Sequence, residues 1–279
     1  MREVLMKVYR RRRKRIREQK ILAHVDLGRA GLEIGPSHSP IVAKKNGFRV
    51  KVLDHTTADE LRLKYRADGV NLDAIEEVDF VWSGQSFREL VGPERFAWII
   101  ASHVIEHTPD LIGFINDCDA IMEEDGVLSL AVPDRRYCFD HFREDSSLGM
   151  VIDAHEAARK VHSAGSVADY FLHVTKKAGR LAWNWWYPGR YRPIHTALQA
   201  RAAMHQAREG QYVDVHAWCF TPTGFRLLIE DLHRLGYIKL REMAFFGTAG
   251  HEFYVTLGRR ADGPPVARER LLARKARER

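Results

Sequence analysis

The segment GLEIGPSHSPI at 31–41, followed by VKVLDH at 50–55, constrains this chain more than any other. It has the pattern of an apolar strand, a glycine turn and a second strand ending in an acid, the arrangement that holds nucleotide-type cofactors at the edge of a parallel sheet. Gly35 lets the backbone approach a ligand where a Cβ would collide, and Asp54 can accept hydrogen bonds from both hydroxyls of a ribose. A ribose-bearing cofactor is expected. A dinucleotide would need G-x-G-x-x-G to seat its pyrophosphate on a helix N-terminus. Here Gly35 is followed by Pro36, Ser37, His38 and Ser39, which disfavours pyrophosphate.

Further along, FAWIIASHVIEHTPDLIGFINDCDAIMEEDGVLSLAVPD (96–134) supplies a strand, a polar turn at Ser102 and His103, an amphipathic helix, an acidic-glycine turn at Asp125-Gly126 and another strand. With the E-x-G at Glu33 to Gly35, this resembles the centre of a class I S-adenosylmethionine-dependent methyltransferase, over roughly residues 21–134 and 220–260. The resemblance implies an α/β fold, a Rossmann-like seven-stranded methyltransferase sheet with a helical insertion after strand five. It also implies S-adenosylmethionine as cofactor, bound by Glu33, Gly35, Pro36, Asp54, His55, Ser83, Gly84, Gln85, Ser102 and His103. Of the family's usual E/D-x-G-x-G-x-G, this chain keeps only the first glycine.

The apolar patterning places strands at about 30–34, 50–54, 78–82, 96–101 and 126–132, with a helix at 57–68 capped from Thr57 or Asp59. A helix at 221–236 and strands at 238–246 and 251–259 follow as a reversed hairpin. The core is therefore expected at 21–134 and 216–260, with 135–215 a substrate insertion and lid above the carboxyl edge, where ligands bind. Within it, LAWNWWYPGRYRP gathers Trp183, Trp185, Trp186, Tyr187 and Tyr191, rings that stack sugars or bases or form the insertion's own small core.

The densest polar group is His103, Glu106 and His107. In a helix starting after strand four their spacings put all three on one face. H-V-I-E-H resembles the E-x-x-E-H segment of small-RNA terminal 2′-O-methyltransferases, and DVHAWCFTPTGF (214–225) resembles the histidine segment before their penultimate helix. That resemblance implies one divalent ion held by His103, Glu106, His107 and His216. A histidine at 103 in place of a carboxylate leaves magnesium, manganese, iron and zinc as candidates. Without a metal, His103 or His216 is the candidate general base. P-D-R-R-Y-x-F-D, from Pro133, resembles a segment of methyltransferases found among bacterial surface-polysaccharide enzymes. As further candidate catalytic-site residues, Arg136 can grip a phosphate or carboxylate and Asp134 can hold a sugar hydroxyl, unless the two form an Arg-Asp surface network.

The net charge of +7 is concentrated at the ends. Residues 1–20 carry ten Lys/Arg against two acids and 259–279 carry eight against three, leaving 21–258 at −6. The basic stretches at 1–20 and 261–279 read as a solvated helix or tail, or as contacts to RNA or an anionic membrane surface. Cys118, Cys138 and Cys219 have no metal-thiolate or disulfide spacing, and no run has the roughly 18–20 apolar residues of a membrane span. A cytoplasmic protein is expected, free or peripheral at the inner face of the membrane; the sequence sets no oligomeric state. These features point to an O-methyltransferase for a small-molecule or glycan acceptor. An RNA ribose 2′-O-methyltransferase and a non-catalytic scaffold of the same fold stand as alternatives.

Overall fold

Apolar runs form β1 (Gly31–Ile34), β2 (Val50–Asp54), β3 (Phe80–Val81), β4 (Phe96–Ser102) and β5 (Met122–Pro133), which pair with one another in parallel. The computed structural model describes residues 2–278 and, in the first helix, the side chains of Val8 and of Arg12 onward. The remaining side chains of the basic run at 1–11 lie outside the described residues, as do Met1 and Arg279. A ribbon of β6 (Thr175–Lys177) and β7 (Tyr191–Pro193) stands apart. β8 (Arg241–Ala249) and β9 (Glu252–Gly258) complete a seven-stranded sheet in the order β3-β2-β1-β4-β5-β9-β8, with β9 antiparallel to both neighbours. This is the expected Rossmann-like sheet of the class I methyltransferase fold. Its order reverses between β1 and β4, so a ligand site is expected outside the carboxyl ends of those two strands.

The helices are α1 (Arg2–Ile21), α2 (Ala58–Lys64), α3 (Phe87–Val91), α4 (Leu111–Ile121), α5 (Leu148–Glu156), α6 (Ala164–His173), α7 (Ala197–Arg208), α8 (Pro222–Arg234) and α9 (Arg268–Lys275). On one face of the sheet Leu32, Ile99, Leu128 and Leu130 pack with Ile112 and Ile115 of α4 and with Phe225 and Leu228 of α8. Val151 and Ala154 of α5 join this cluster, so that part of the insertion lies in the core rather than above the carboxyl edge. On the other face Trp98, Ile100, Val127 and Tyr254 are covered by Val42 and by Ile21. The chain between β1 and β2 makes only a 3-10 turn at Lys44–Asn46, which leaves that face short of a helix. α1 fills the gap, and Ser129 Oγ fastens it by donating to the Ile21 carbonyl at 2.6 Å. Its basic middle is solvated as expected, but its last turns belong to the core.

Several boundaries depart from the sequence expectation. Residues 123–126 bulge out between the Phe96–Met122 and Trp98–Val127 pairs, so the Asp125-Gly126 turn is an irregularity within β5. β3 is only two residues long. The C-terminal tail folds back as α9, where Leu271 is buried, Arg268 pairs with Asp231, and the Glu278 carboxylate accepts from Thr223 N at 2.8 Å. Among the described residues no helix is long and apolar enough to cross a membrane.

Gly31 opens β1 directly over the indole of Trp98, and a Cβ there would stand 2.0 Å from the ring. Trp98 has no exposed surface and nowhere to move. Gly31→Ala is therefore expected to destabilise the fold by about 1–3 kcal/mol, the usual range for overpacking. Urea denaturation with an unchanged m-value would measure it.

Candidate active site

The cofactor-type residues gather at the carboxyl ends of β1, β2, β3 and β4. Gly35 turns the chain out of β1 at φ 61°, where its Cβ would lie 3.0 Å from Val104 Cγ2. Ser37 and His103 are also left-handed, at φ 49° and 56°. Such conformations cost non-glycine residues free energy and concentrate at ligand sites. Glu33 is buried and accepts from Ile41 N at 2.7 Å and Val42 N at 3.0 Å, holding the loop that contains Pro36 against the sheet. Burial pushes its carboxyl up, to about 7, against the opposing pull of those two amides.

Asp54 ends β2 with 4% exposure. Its Oδ1 accepts from His55 N at 2.8 Å and pairs with His55 Nδ1 at 2.6 Å, while Oδ2 is buried without a hydrogen-bond partner. After β3, Gln85 Oε1 accepts from Ser83 N and Ser83 Oγ, forming a compact polar turn through Gly84. Ser102, the last residue of β4, accepts on Oγ from Arg17 Nη2 at 2.5 Å.

The expected helix directly after β4 does not form. His103 is left-handed, Ile105–His107 is a 3-10 turn, and Pro109 holds Thr108 extended at ψ 134°, so α4 begins only at Leu111, capped by Asp110. An extended residue before proline is the rule, because the proline ring clashes with a helical predecessor. The polar residues therefore do not share a helical face. Glu106 and His107 nonetheless meet His216, because Ala217 N donates to the Glu106 carbonyl at 2.7 Å and draws the 216–218 segment alongside. Ligand atoms from Glu106, His107 and His216 lie within 4.8 Å of one another.

Glu106 has no exposed surface and neither carboxylate oxygen has a hydrogen-bond partner. His103 Nδ1 stands 3.5 Å and His216 Nε2 3.9 Å from its Oε1, contacts that do not replace hydrogen bonds. Both histidines of the trio are oriented from behind by acids: His107 Nδ1 pairs with Asp214 at 2.8 Å and His216 Nδ1 with Asp140 at 2.5 Å. This leaves each Nε2 as the free ring nitrogen. A carboxylate behind a histidine is the usual outer support of a metal ligand. Asp140 is pushed up by burial, but His216 and Arg143 outweigh that and hold it at about 2.

His103, the fourth expected ligand, turns to β9 instead, with Nε2 2.8 Å from Glu252. Burial alone would depress its pKa, but Glu106 and Glu252 raise it to about 9. At neutral pH it is an imidazolium, a donor rather than a proton acceptor.

Asp134 and Arg136 follow β5 as a closed pair. Arg136 donates to Asp134 from Nε at 2.9 Å, Nη2 at 2.7 Å and its backbone N at 3.2 Å, and Thr248 Oγ1 adds a fourth donor at 2.6 Å. Asp134 has no exposed surface. The tryptophans divide: Trp183 is buried against Tyr191 and His141, whereas Trp185 and Trp186 are 78% and 60% exposed. They border a cleft of about 310 Å³ with Arg13, Tyr137, Asn184, Thr248 and Gly250.

Four residues of this edge escaped the sequence reading: Arg17, Asp140, Asp214 and Glu252. Arg17 is hidden in a run of like charges. Asp140 and Asp214 lie inside the quoted PDRRYCFD and DVHAWCF segments, whose acids were the available signal.

No family model matches this chain, and no curated protein matches it. Solved structures similar to it include the mitomycin 7-O-methyltransferase MmcR, at 15% identity and TM-score 0.40 over 87% of this chain. The chain spans about half of that protein, 52% of its length. The CcbJ methyltransferase from Streptomyces caelestis is 13% identical with TM-score 0.44, over 87% of this chain and 88% of its own. A putative Zn-dependent alcohol dehydrogenase from Rhodobacter sphaeroides is 15% identical with TM-score 0.45, over 87% and 88%. The assignment of the fold rests on strand order and direction.

Proposed function

We propose that this protein transfers the methyl group of S-adenosylmethionine to a hydroxyl oxygen of a sugar or glycan acceptor. The observation that carries the reading is the pairing, on one sheet edge, of Asp54 with its unpartnered buried oxygen and the Glu106, His107 and His216 group. Asp54 takes the ribose diol, the loop from Gly35 to Ile41 lies along the cofactor, and the Ser83 to Gln85 turn faces its adenine. In the transfer, a lone pair of the acceptor oxygen forms the new bond to the methyl carbon. The carbon–sulfur bond breaks with its electrons going to sulfur, and the hydroxyl proton passes to His216 Nε2 or, were that nitrogen bound to an ion, to water.

Glu106, His107 and His216 would hold one divalent ion, and the unsatisfied Glu106 oxygens fit that role, since a buried carboxylate without partners is costly. A bound ion there supplies Lewis-acid activation of the acceptor hydroxyl. Where no ion sits, His216 Nε2 is the proton acceptor, its imidazolium stabilised by Asp140. His103 fixes the carboxylates of Glu106 and Glu252 on either side of the transfer path. Asp134 and Arg136 shape the acceptor side through their mutual pair, and Trp185 and Trp186 present ring faces to a sugar.

Calorimetry with S-adenosylmethionine, followed by mass spectrometry of sugar nucleotides and oligosaccharides incubated with protein and cofactor, tests this. Binding, with acceptors gaining one methyl, supports it. No binding at millimolar cofactor would leave a non-catalytic scaffold. A second reading, RNA ribose methylation, draws on the exposed Arg12, Lys14 and Arg15 of α1. RNA binding that weakens steeply with salt and is lost on removing residues 1–16 would favour it.

A further inference from the structure

We infer that Arg17 of α1 binds the α-carboxylate at the methionine end of the cofactor, which makes the N-terminal helix a wall of the cofactor site. The inference rests on the proposed cofactor and concerns a residue that strand-edge reasoning does not reach. Ile21 is fully buried against the sheet one helical turn after Arg17, and its carbonyl is fixed by Ser129, so α1 is held in register and Arg17 points along the same side.

The guanidinium lies at the switch point of the sheet. Its Nη2 donates to Ser102 Oγ at 2.5 Å, and Ser102 follows Ala101, which pairs in register with Ile34, the residue before Gly35. A second edge of the same guanidinium, Nε and Nη2, grips Glu252 at 2.7 and 3.1 Å. Among the described residues no hydrogen bond uses Nη1, and the side chain keeps 29% exposure. The Nε hydrogen and both Nη2 hydrogens are thus committed, and Nη1 carries the donors without a described partner. A carboxylate oxygen accepts a charge-assisted hydrogen bond from such a guanidinium nitrogen.

The surrounding charges fit a zwitterion. Glu252 brings negative charge to this edge from β9, so an α-ammonium is met by an acid while an α-carboxylate needs a cation. His103, a second cation at this edge, is committed between Glu252 and Glu106. Arg17 keeps the donors of Nη1 to offer.

The test compares two ligands by calorimetry: S-adenosylhomocysteine and its decarboxylated analogue S-adenosyl-thiopropylamine, which keeps the amine. Wild-type protein is expected to prefer S-adenosylhomocysteine by roughly 10-fold or more, the scale of a charge-assisted hydrogen bond. Arg17→Ala should bring the two close to parity by weakening only the carboxylate-bearing ligand. If the alanine variant unfolds, Arg17→Lys, which keeps a charge beside Glu252 but loses the planar fork, should still show a reduced preference. Equal wild-type affinities, or an unchanged preference in the folded variants, overturn the assignment while leaving the proposed function intact. Failure of wild-type protein to bind either ligand overturns both.

Discussion

Asp54→Ala is expected to weaken S-adenosylhomocysteine binding by about 1.5–3 kcal/mol, roughly 10- to 150-fold, the scale of hydrogen bonds to a charged group. The carboxylate ends β2 at the sheet edge with Oδ1 held by His55 and Oδ2 buried without a partner. That oxygen is desolvated before any ligand arrives, so hydrogen bonds from a ribose diol restore what burial removed. For the same reason the substitution should disturb the fold little, because it deletes a buried charge that is only half satisfied. Asp54→Asn, which keeps one acceptor, should fall between the two. Calorimetry on folded variants reads the effect directly, and an unchanged dissociation constant for the alanine variant would reject Asp54 as the ribose ligand.

Glu106→Gln should have the second large effect. The amide has almost the same shape, but it removes the only negative charge in the trio of Glu106, His107 and His216. Stoichiometric binding of manganese or zinc should be lost, and metal-dependent transfer should fall by at least about 100-fold, beyond the 10- to 100-fold typical of an outer-shell support. Ligands about 2.0–2.3 Å from one ion stand roughly 3–4 Å apart, so the present spread must contract by about 1 Å on binding. Thermal stability without metal should fall at neutral pH, since the His103 imidazolium is left with Glu252 as its remaining acid. Elemental analysis after dialysis and activity with and without chelator give the answer. Full activity of metal-free wild-type protein would remove the ion from the mechanism.

The pH behaviour of His103 separates it from the base role. Its folded pKa, about 9, lies above the ordinary histidine value. The stability it contributes is therefore complete below about 6.5 and is lost as pH rises through 9. The groups facing it are Glu106, Glu252 and the ring of His251, with Arg17 on the far side of Glu252. Thermal melts of wild type and His103→Gln should differ most below pH 6.5 and converge toward pH 9.5. A constant difference across that window would contradict the ion-pair account.

The sequence by itself determined the sheet and one side of the site. Strands of apolar residues between polar turns, the E-x-G at Glu33 to Gly35, and an acid ending the second strand are local patterns, set by backbone sterics and side-chain period. They placed Gly35, Asp54, Ser83 to Gln85 and Ser102 at strand ends. A local pattern failed where local chemistry intervened: His103 takes a left-handed conformation and Pro109 follows, so the face shared by His103, Glu106 and His107 on paper does not exist. Only the tertiary structure decided which polar groups meet. His216 reaches Glu106 through a backbone hydrogen bond across more than a hundred residues, and Asp140 and Asp214 orient the imidazoles from the insertion. Asp134 and Arg136, set apart as acceptor contacts by their motif, turn to each other. Arg17 reads as one more cation in a basic helix until Ile21 anchors that helix on a face left bare between β1 and β2. The physical reason is common to all of these. Strand and turn preferences act over a few residues, whereas ion pairs and buried carboxylates are settled by which distant segments the core brings together.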